Sequence, residues 1–509
     1  MIHETALQLA MQAVVGPIIE ELQSLLRKQN EQTIAQVIKW MSHRITPAST
    51  FRFENDLASI SREGNRLLLE SVLNQLDPEL PAETPARIES DGTEYRRREI
   101  RTPNRNVATL FGTITVWRYA YRPCEESEKC IFPLQESLGL VEGCTPALAE
   151  RAARLGGRAG ATQRDVLQSL RRDNNVILGT QRLRNVWESV ATFTEPLRCA
   201  AQARQVCDWL RKAFTHDTYT QDGIVPTLAV GRDGITVAKQ EKAGYEVASC
   251  GTISVYAGKK RLGTVYLGHV PEPGQSSMTE ELLALLREIL TQWHATGEPL
   301  PQLVYVSDCG ELEEAFYTVR LSRMRHPVTK RRLSWQRTVD YYHAAQRLTT
   351  IAEALNLDEA SAKEWSRKMR VILKGRKGVS RVLRSAAALA KSRGFKNDEK
   401  QKEYTIACNY LRKRSKWMRY DVYLNRGMPI GSGVTEAGCK TLFTQRVKQS
   451  GMRWRHAGMQ TVLNLRMLVL SGIWDAVYAE SLERRTTAIV AIAVRTQPVV
   501  SQQNASVAA

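Results

Sequence analysis

Between residues 227 and 310 the chain runs as three strand-like stretches, TLAVGRDGITV, GYEVASCGTISVYA and RLGTVYLGHV, then an amphipathic stretch, TEELLALLREILTQW (279–293), then a fourth apolar run, QLVYVSDCG. Runs rich in β-branched residues and separated by Gly- and Lys-containing turns predict strands, and the amphipathic stretch predicts a helix. Three strands, a helix and a strand form an α/β core, so the rest of the chain must be domains before it or insertions within it. Two acids stand in strand contexts there: Asp233 after LAVGR and Asp308 after LVYVS, 75 residues apart. A carboxylate at the end of a central strand sits at the mouth of an α/β sheet, where sites gather. Either alone is an ordinary turn residue before glycine; the pair carries more weight.

The composition narrows the class. The 509 residues hold 72 Lys+Arg against 53 Asp+Glu, a formal charge of +19, with 43% hydrophobic residues. That apolar content excludes a largely disordered chain. The longest apolar runs, TTAIVAIAV and LRMLVLSGIW, fall short of the roughly 20 residues a span requires. No membrane association is expected, and the location expected is cytoplasmic. Nine cysteines at irregular spacing agree with reduced thiols. Cys124 and Cys130, separated as CEESEKC with no second pair, argue against a zinc site. A positive excess of this size points to a polyanion, with nucleic acid ahead of an anionic membrane surface.

The expected organisation is multidomain α+β. Residues 1–80 are helical, and a proline-bearing linker, LDPELPAETPARIESDG (76–92), follows. Residues 92–135 form a small β element. Residues 145–215 are helices with Thr162 and Asp165 as a capping pair and Thr180 as an N-cap, arranged either as a helix-turn-helix or as an ordinary bundle. The core's first part spans 225–345. A basic helical insertion follows at 346–425, in a region where residues 361–420 hold 19 Lys/Arg and 4 Asp/Glu. The core resumes at 426–482, and 483–509 is expected to be a disordered tail.

Holding two divalent cations about 3.5–4 Å apart for displacement at phosphorus takes a third acid. Glu436 is the candidate, in MPIGSGVTEAGCKTLFTQRVKQSGMRWR, where a Pro-Ile-Gly-Ser-Gly turn feeds a helix. A glutamate in a first helical turn also complements the helix dipole. Lys440, Arg446, Lys448, Arg453, Trp454 and Arg455 follow, a basic run with one aromatic that suits a phosphate backbone. Trp335, Trp365, Trp417, Tyr420 and Tyr423 lie among basic residues, where base stacking competes with plain core packing.

Taken together, the order Asp233, Asp308, basic insertion, GSGVTEAGCK and RVKQSGMRW resembles the DDE transposases of bacterial insertion sequences, most closely the ISKra-like group, which have an RNase H-like core. TVDYYHAAQRL is similar to that family's Asp-x-x-His motif, carried here by Asp340 and His343. Arg232 before Asp233 departs from the family's apolar setting. The resemblance implies binding to terminal inverted repeats, phosphodiester hydrolysis freeing a 3′-OH, and strand transfer into target DNA. It also implies a homodimer or higher oligomer on double-stranded DNA, and Mg²⁺ or Mn²⁺, two ions, as cofactor. Asp233 would bridge both ions, Asp308 would hold one and Glu436 the other. His343 either orients a phosphate or packs with Asp340 as its partner, and Asp340 competes with Asp308 as the second acid. The rival functions are a non-catalytic DNA-binding protein and another RNase H-like nuclease.

Overall fold

A computed structural model describes residues 2–77, 84–90, 92–124, 129–238, 244–485 and 490–491. The chain is mixed α+β and divides into two compact units. One holds described residues of 1–152, 163–189 and 481–491; the other holds 153–162 and 190–480.

In the first unit, α1 (Ile2–Met41) and α2 (Pro47–Gln75) precede five short strands: β1 (Arg87–Ser90), β2 (Thr93–Arg97), β3 (Thr102–Thr109), β4 (Gly112–Arg118) and β5 (Tyr121–Pro123). Helix α2 begins at a capping box: Thr46 Oγ1 accepts from Ser49 N at 3.1 Å, and Ser49 Oγ from Thr46 N at 2.9 Å. Its far end covers the open edge of β4. Glu70 accepts from Thr115 N, Asn74 from Trp117 N and Asp77 from Tyr119 N, at 2.8, 2.7 and 2.8 Å. Alternate strand N–H groups thus find side-chain acceptors spaced four and three residues apart, which blunts an edge that would otherwise pair with another chain. Short α3 (Pro133–Ser137), α4 (Pro146–Gly156) and α5 (Gln163–Asn174) follow, and α6 (Thr180–Phe214) runs on into the second unit.

After α7 (Asp217–Thr220), the second unit is built on a five-stranded sheet of β6 (Thr227–Ala238), β7 (Tyr245–Ala257), β8 (Lys260–His269), β9 (Gln302–Ser307) and β10 (Trp335–Val339), in the order β10-β9-β6-β7-β8. Strands β6, β7 and β8 are antiparallel neighbours, whereas β9 runs parallel to β6 and β10 parallel to β9. Helix α8 (Ser276–His294) makes the crossover. Adjacent β7 residues show how the faces are covered: a Cβ on Gly251 would meet Met278 of α8, while Thr252 Oγ1 bonds Thr435 Oγ1 at 2.8 Å on the other face. Thr435 belongs to a short helix near the end of the chain, Gly433–Cys439. Short α9 (Glu311–Ala315) and a π-helical turn (Phe316–Arg320) lie between β9 and β10.

Helices α10 (Tyr341–Ala354), α11 (Glu359–Leu373), α12 (Gly378–Arg393), α13 (Asp398–Arg414) and α14 (Tyr420–Asn425) form the expected basic insertion. Its apolar residues share one core with Val304, Val306 and Val339 of the sheet. Trp365, Tyr420 and Tyr423 are buried in that core and Trp335 in β10, so these rings pack rather than face bases. Trp417 is half-buried, with Arg337 stacked 3.9 Å over it. The chain ends through α15 (Gly433–Cys439), a π-helical turn (Lys440–Thr444), α16 (His456–Leu470), α17 (Trp474–Arg484) and β11 (Val490–Ala491).

Several boundaries differ from the sequence expectation. The β element starts at Arg87, inside the supposed linker, whose residues 78–83 and 91 lie outside the described residues. Helix α6 is a single 35-residue helix, despite Pro196, and belongs to both units rather than closing a separate 145–215 domain. It starts at Thr180, so the residue before it, Gly179, holds the cap position, and Gly179 O accepts from Leu183 N. The expected disordered tail includes β11, which pairs with β1 because Val490 and Ala491 belong to a strongly β-forming run; residues 492–509 lie outside the described residues. Among the described residues, no single helix is long and apolar enough to cross a membrane.

Candidate active site

Three parallel neighbours, β10, β9 and β6, bring their ends to one place. In the β6–β9 ladder Thr227 pairs with Gln302 and Gly231 with Val306. Extending it by two residues sets Asp233 level with Asp308, because the ladder offset equals their separation in sequence. In the β9–β10 ladder Val339 pairs with Ser307, and one further step sets Asp340 beside Asp308. Asp340 N donates to Ser307 O at 2.9 Å, which fixes that step. Adjacent strands lie about 4.8 Å apart, so three carboxyl-bearing residues stand in a row across neighbouring strands, just past the ends of β9 and β10 and within β6.

Their surroundings differ. Asp233 is not at a strand end: β6 continues to Ala238, paired with β7, and only its pairing with β9 stops at Gly231. One carboxylate oxygen accepts from Gly234 N at 2.7 Å, and the other faces the Cys439 thiol at 3.7 Å. Burial pushes the Asp233 pKa up, and the nearby Asp308 and Glu436 carboxylates push it further. Asp308 is half-buried and accepts from Gly310 N at 3.0 Å. The turn after it is strained: Cys309 has φ 68° with no glycine to relieve it.

Asp340 is fully buried, and both its oxygens are engaged. Oδ1 caps α10 by accepting from Tyr342 N and His343 N at 2.5 and 2.9 Å. Oδ2 accepts from both the backbone N–H and the hydroxyl of Ser432. Tyr341 N donates to Ile430 O at 2.9 Å beside it. Asp340 is therefore the clamp that closes the helical insertion and seats the turn leading into α15.

Glu436 projects from the first turn of α15, its side chain half-exposed and 3.0 Å from Ser432 Oγ. Helix α15 lies against the sheet because two glycines leave room: a Cβ on Gly231 would collide with Thr435 Oγ1, and one on Gly438 would fall 3.1 Å from Cys250 Sγ. His343 Nδ1 sits 3.7 Å from Asp340 and 3.8 Å from Glu436, beyond hydrogen-bond reach of either, and is buried without a hydrogen-bond partner.

Among the described residues, the donor atoms close enough to share one ion, all within 4.8 Å of one another, belong to Asp340, His343 and Glu436. The clamp role of Asp340 weakens that trio as a metal cage, since its lone pairs already take four N–H or O–H groups. The oxygens of Asp308 and Glu436 are less committed, although the donor atoms of Asp233, Asp308 and Glu436 do not all lie within 4.8 Å of one another.

Sequence reasoning missed three neighbours of this set. Glu313 on α9 is buried, and its pKa is raised by burial and by Asp308. Ser432 links Asp340 to Glu436. The Cys439 thiol is held protonated by its contact with Cys250 and by burial. Arg232, the departure noted in the sequence, points away from Asp233: it is buried toward α8, donating to Thr279 Oγ1 at 2.8 Å and Gln275 Oε1 at 2.9 Å.

The basic run after Glu436 divides. Lys440, Lys448, Arg453 and Arg455 are exposed. Arg446 is not: it is 1% exposed, donates to Gly156 O at 2.8 Å and lies 5.3 Å from the Trp454 ring centre. Burial, with Arg466 nearby, pushes its pKa down to about 10. Arg446 is thus an internal tie rather than a phosphate contact, and it covers the half-buried Trp454 ring proposed for stacking.

No family model matches this sequence, and no curated protein matches it.

Proposed function

We propose that this chain is a DDE transposase that cuts and joins DNA with Asp233, Asp308 and Glu436 as its acids, on an RNase H-like core. The observation that carries the proposal is the convergence of three distant acids, two of them level on adjacent strands and the third on a helix seated against the same sheet through Gly231. The strand and helix order of the second unit agrees with that core.

On this reading Asp233, Asp308 and Glu436 would hold two Mg²⁺ or Mn²⁺ ions, which would supply charge neutralisation at phosphorus and activation of water or a 3′-OH. The chain's own part is placement. Asp340 and Ser432 hold the Glu436 turn at a set distance from β9, and the Cys309 turn fixes the direction of Asp308. Burial, and after it the neighbouring Asp308 and Glu436 carboxylates, push the Asp233 pKa up, and a bound cation would offset that cost. Lys440, Lys448, Arg453 and Arg455 present cations to a DNA backbone beside Glu436. Helix α5 and the start of α6, joined by residues 175–179, serve as the helix-turn-helix that reads the terminal repeats. A dimer or larger assembly on paired ends completes the proposal.

The test is cleavage of labelled DNA carrying the element's own ends with Mg²⁺ or Mn²⁺. Wild type is expected to nick at the element boundary and Asp308→Asn to bind the ends without cutting. Binding by both without cutting by either supports the non-catalytic DNA-binding alternative.

A further inference from the structure

From residue 315 to 339 the chain has no Asp or Glu, yet it carries Arg320, Arg323, Arg325, Lys330, Arg331, Arg332 and Arg337. Two of these have internal roles: Arg320 pairs with Glu280 at 2.8 Å, and Arg337 is buried. The other five are exposed on or beside a small hairpin, residues 324–333.

The hairpin is rigidly built. Leu333 N donates to Met324 O at 3.0 Å, His326 N to Arg331 O at 2.8 Å and Lys330 N to His326 O at 3.0 Å. The buried His326 ring nitrogen accepts from Val328 N and Thr329 N at 3.2 and 3.3 Å, and Met324 and Leu333 are buried at its base. On this frame Arg325 and Arg332 stand opposite each other across an antiparallel bridge. Like charges placed opposite one another cost stability. Among the described residues their guanidinium groups bond only to carbonyls, those of Lys330 and Ser322, and to no carboxylate. The side chains of Arg323 and Arg331 make no hydrogen bond or ion pair among the described residues. A fixed, mutually repelling set of cations gains its counter-charge from outside the chain.

The hairpin precedes β10, whose first residue, Trp335, pairs with Leu303 at the start of β9. The acids stand five residues further along these strands, roughly 17 Å away at about 3.3 Å per residue. The same phosphate cannot serve both places.

We propose that this hairpin is a second DNA-binding surface, gripping the backbone of duplex DNA at the sheet end away from the acids. The identity of the partner rests on the transposase proposal, whereas the demand for a polyanion rests on the hairpin itself.

The experiment compares wild type with Arg323→Ala/Lys330→Ala/Arg331→Ala, three exposed positions outside the candidate active site. Binding of a random-sequence duplex is followed by fluorescence anisotropy across a salt series, alongside nicking of end-bearing DNA. Each cation withdrawn from a phosphate lowers the salt slope by about 0.9, so the triple variant is expected to lose up to about 2.7 from the slope and about tenfold or more in affinity. Its nicking at saturating protein stays within about twofold of wild type, as expected of a surface remote from the acids. Unchanged slope and affinity in a variant that still nicks overturn the hairpin proposal and leave the transposase standing. A loss of binding in a protein whose wild type never nicks leaves the hairpin standing and removes the transposase. Wild type that binds anionic vesicles but no duplex overturns both.

Discussion

Asp308 and Asp340 stand level with each other just past the ends of two adjacent parallel strands, and their chemistry is opposite. Asp340 is fully buried and its two oxygens receive four donors, two from its own helix and two from Ser432, 92 residues later. Asp308 is half-buried, accepts one backbone N–H and is followed by a strained turn. Position at the mouth of a sheet thus does not assign a role; the hydrogen-bond partners do. A carboxylate whose lone pairs are all engaged serves the fold, whereas one left open beside other carboxylates is available to a cation.

The contrast is broken most severely by exchanging the roles. Asp308→Asn is expected to lower DNA cleavage by about 10³-fold or more, some 4 kcal/mol of transition-state stabilisation, with melting temperature unchanged or raised. Kinetics and calorimetry on one preparation check both halves. Asp340→Ala should do the reverse first: about 3 kcal/mol of stability is lost as a helix cap disappears and buried Ser432 donors are orphaned, measurable by denaturant unfolding. Any cleavage defect then follows from displacement of Glu436.

Gly231→Val sharpens the claim that α15 is seated by the absence of a side chain. A cost of about 2 kcal/mol is expected, together with a loss of cleavage, because Thr435 must move off the sheet. Unchanged stability and activity would mean that α15 docks elsewhere.

The smallest effect concerns Asp233. Its folded pKa lies above the ordinary 3.8, so the folded state binds the proton more tightly than the unfolded chain. Stability without cations therefore falls as pH rises through the window above 3.8, and is lowest once Asp233 is ionised. Asp233→Asn should weaken that dependence, leaving the part that Glu313 contributes, and melt at a higher temperature at neutral pH. Melting curves at pH 4 to 7 decide it.

Much of this was legible in the sequence, for physical reasons that also set its limits. Strands β6 to β9 and α8 announce themselves through apolar patterning, and the separation of Asp233 and Asp308 matches the ladder offset. Glu436 stood out through the glycine-rich turn before it. Strand β10 is short and contains the buried Arg337, so its pattern resembles the basic stretch around it. That Asp340 is a clamp depends on Ser432, a long-range partner that local spacing does not reveal. Arg446 carries the same charge as exposed Lys448, two residues away, and only packing against Gly156 and Trp454 separates them. The split of α6 between units is a matter of tertiary packing, which local sequence does not reveal.

The most direct test of the central claim is the change in melting temperature on adding Mg²⁺ or Mn²⁺ to wild type, Asp308→Asn and Glu436→Gln. A cation that binds only the folded state raises the melting temperature by mass action. A rise of a few degrees is predicted in wild type and is lost in both variants, each of which melts no lower than wild type without cations. No rise in wild type, or an equal rise in all three proteins, would contradict a three-acid cation site.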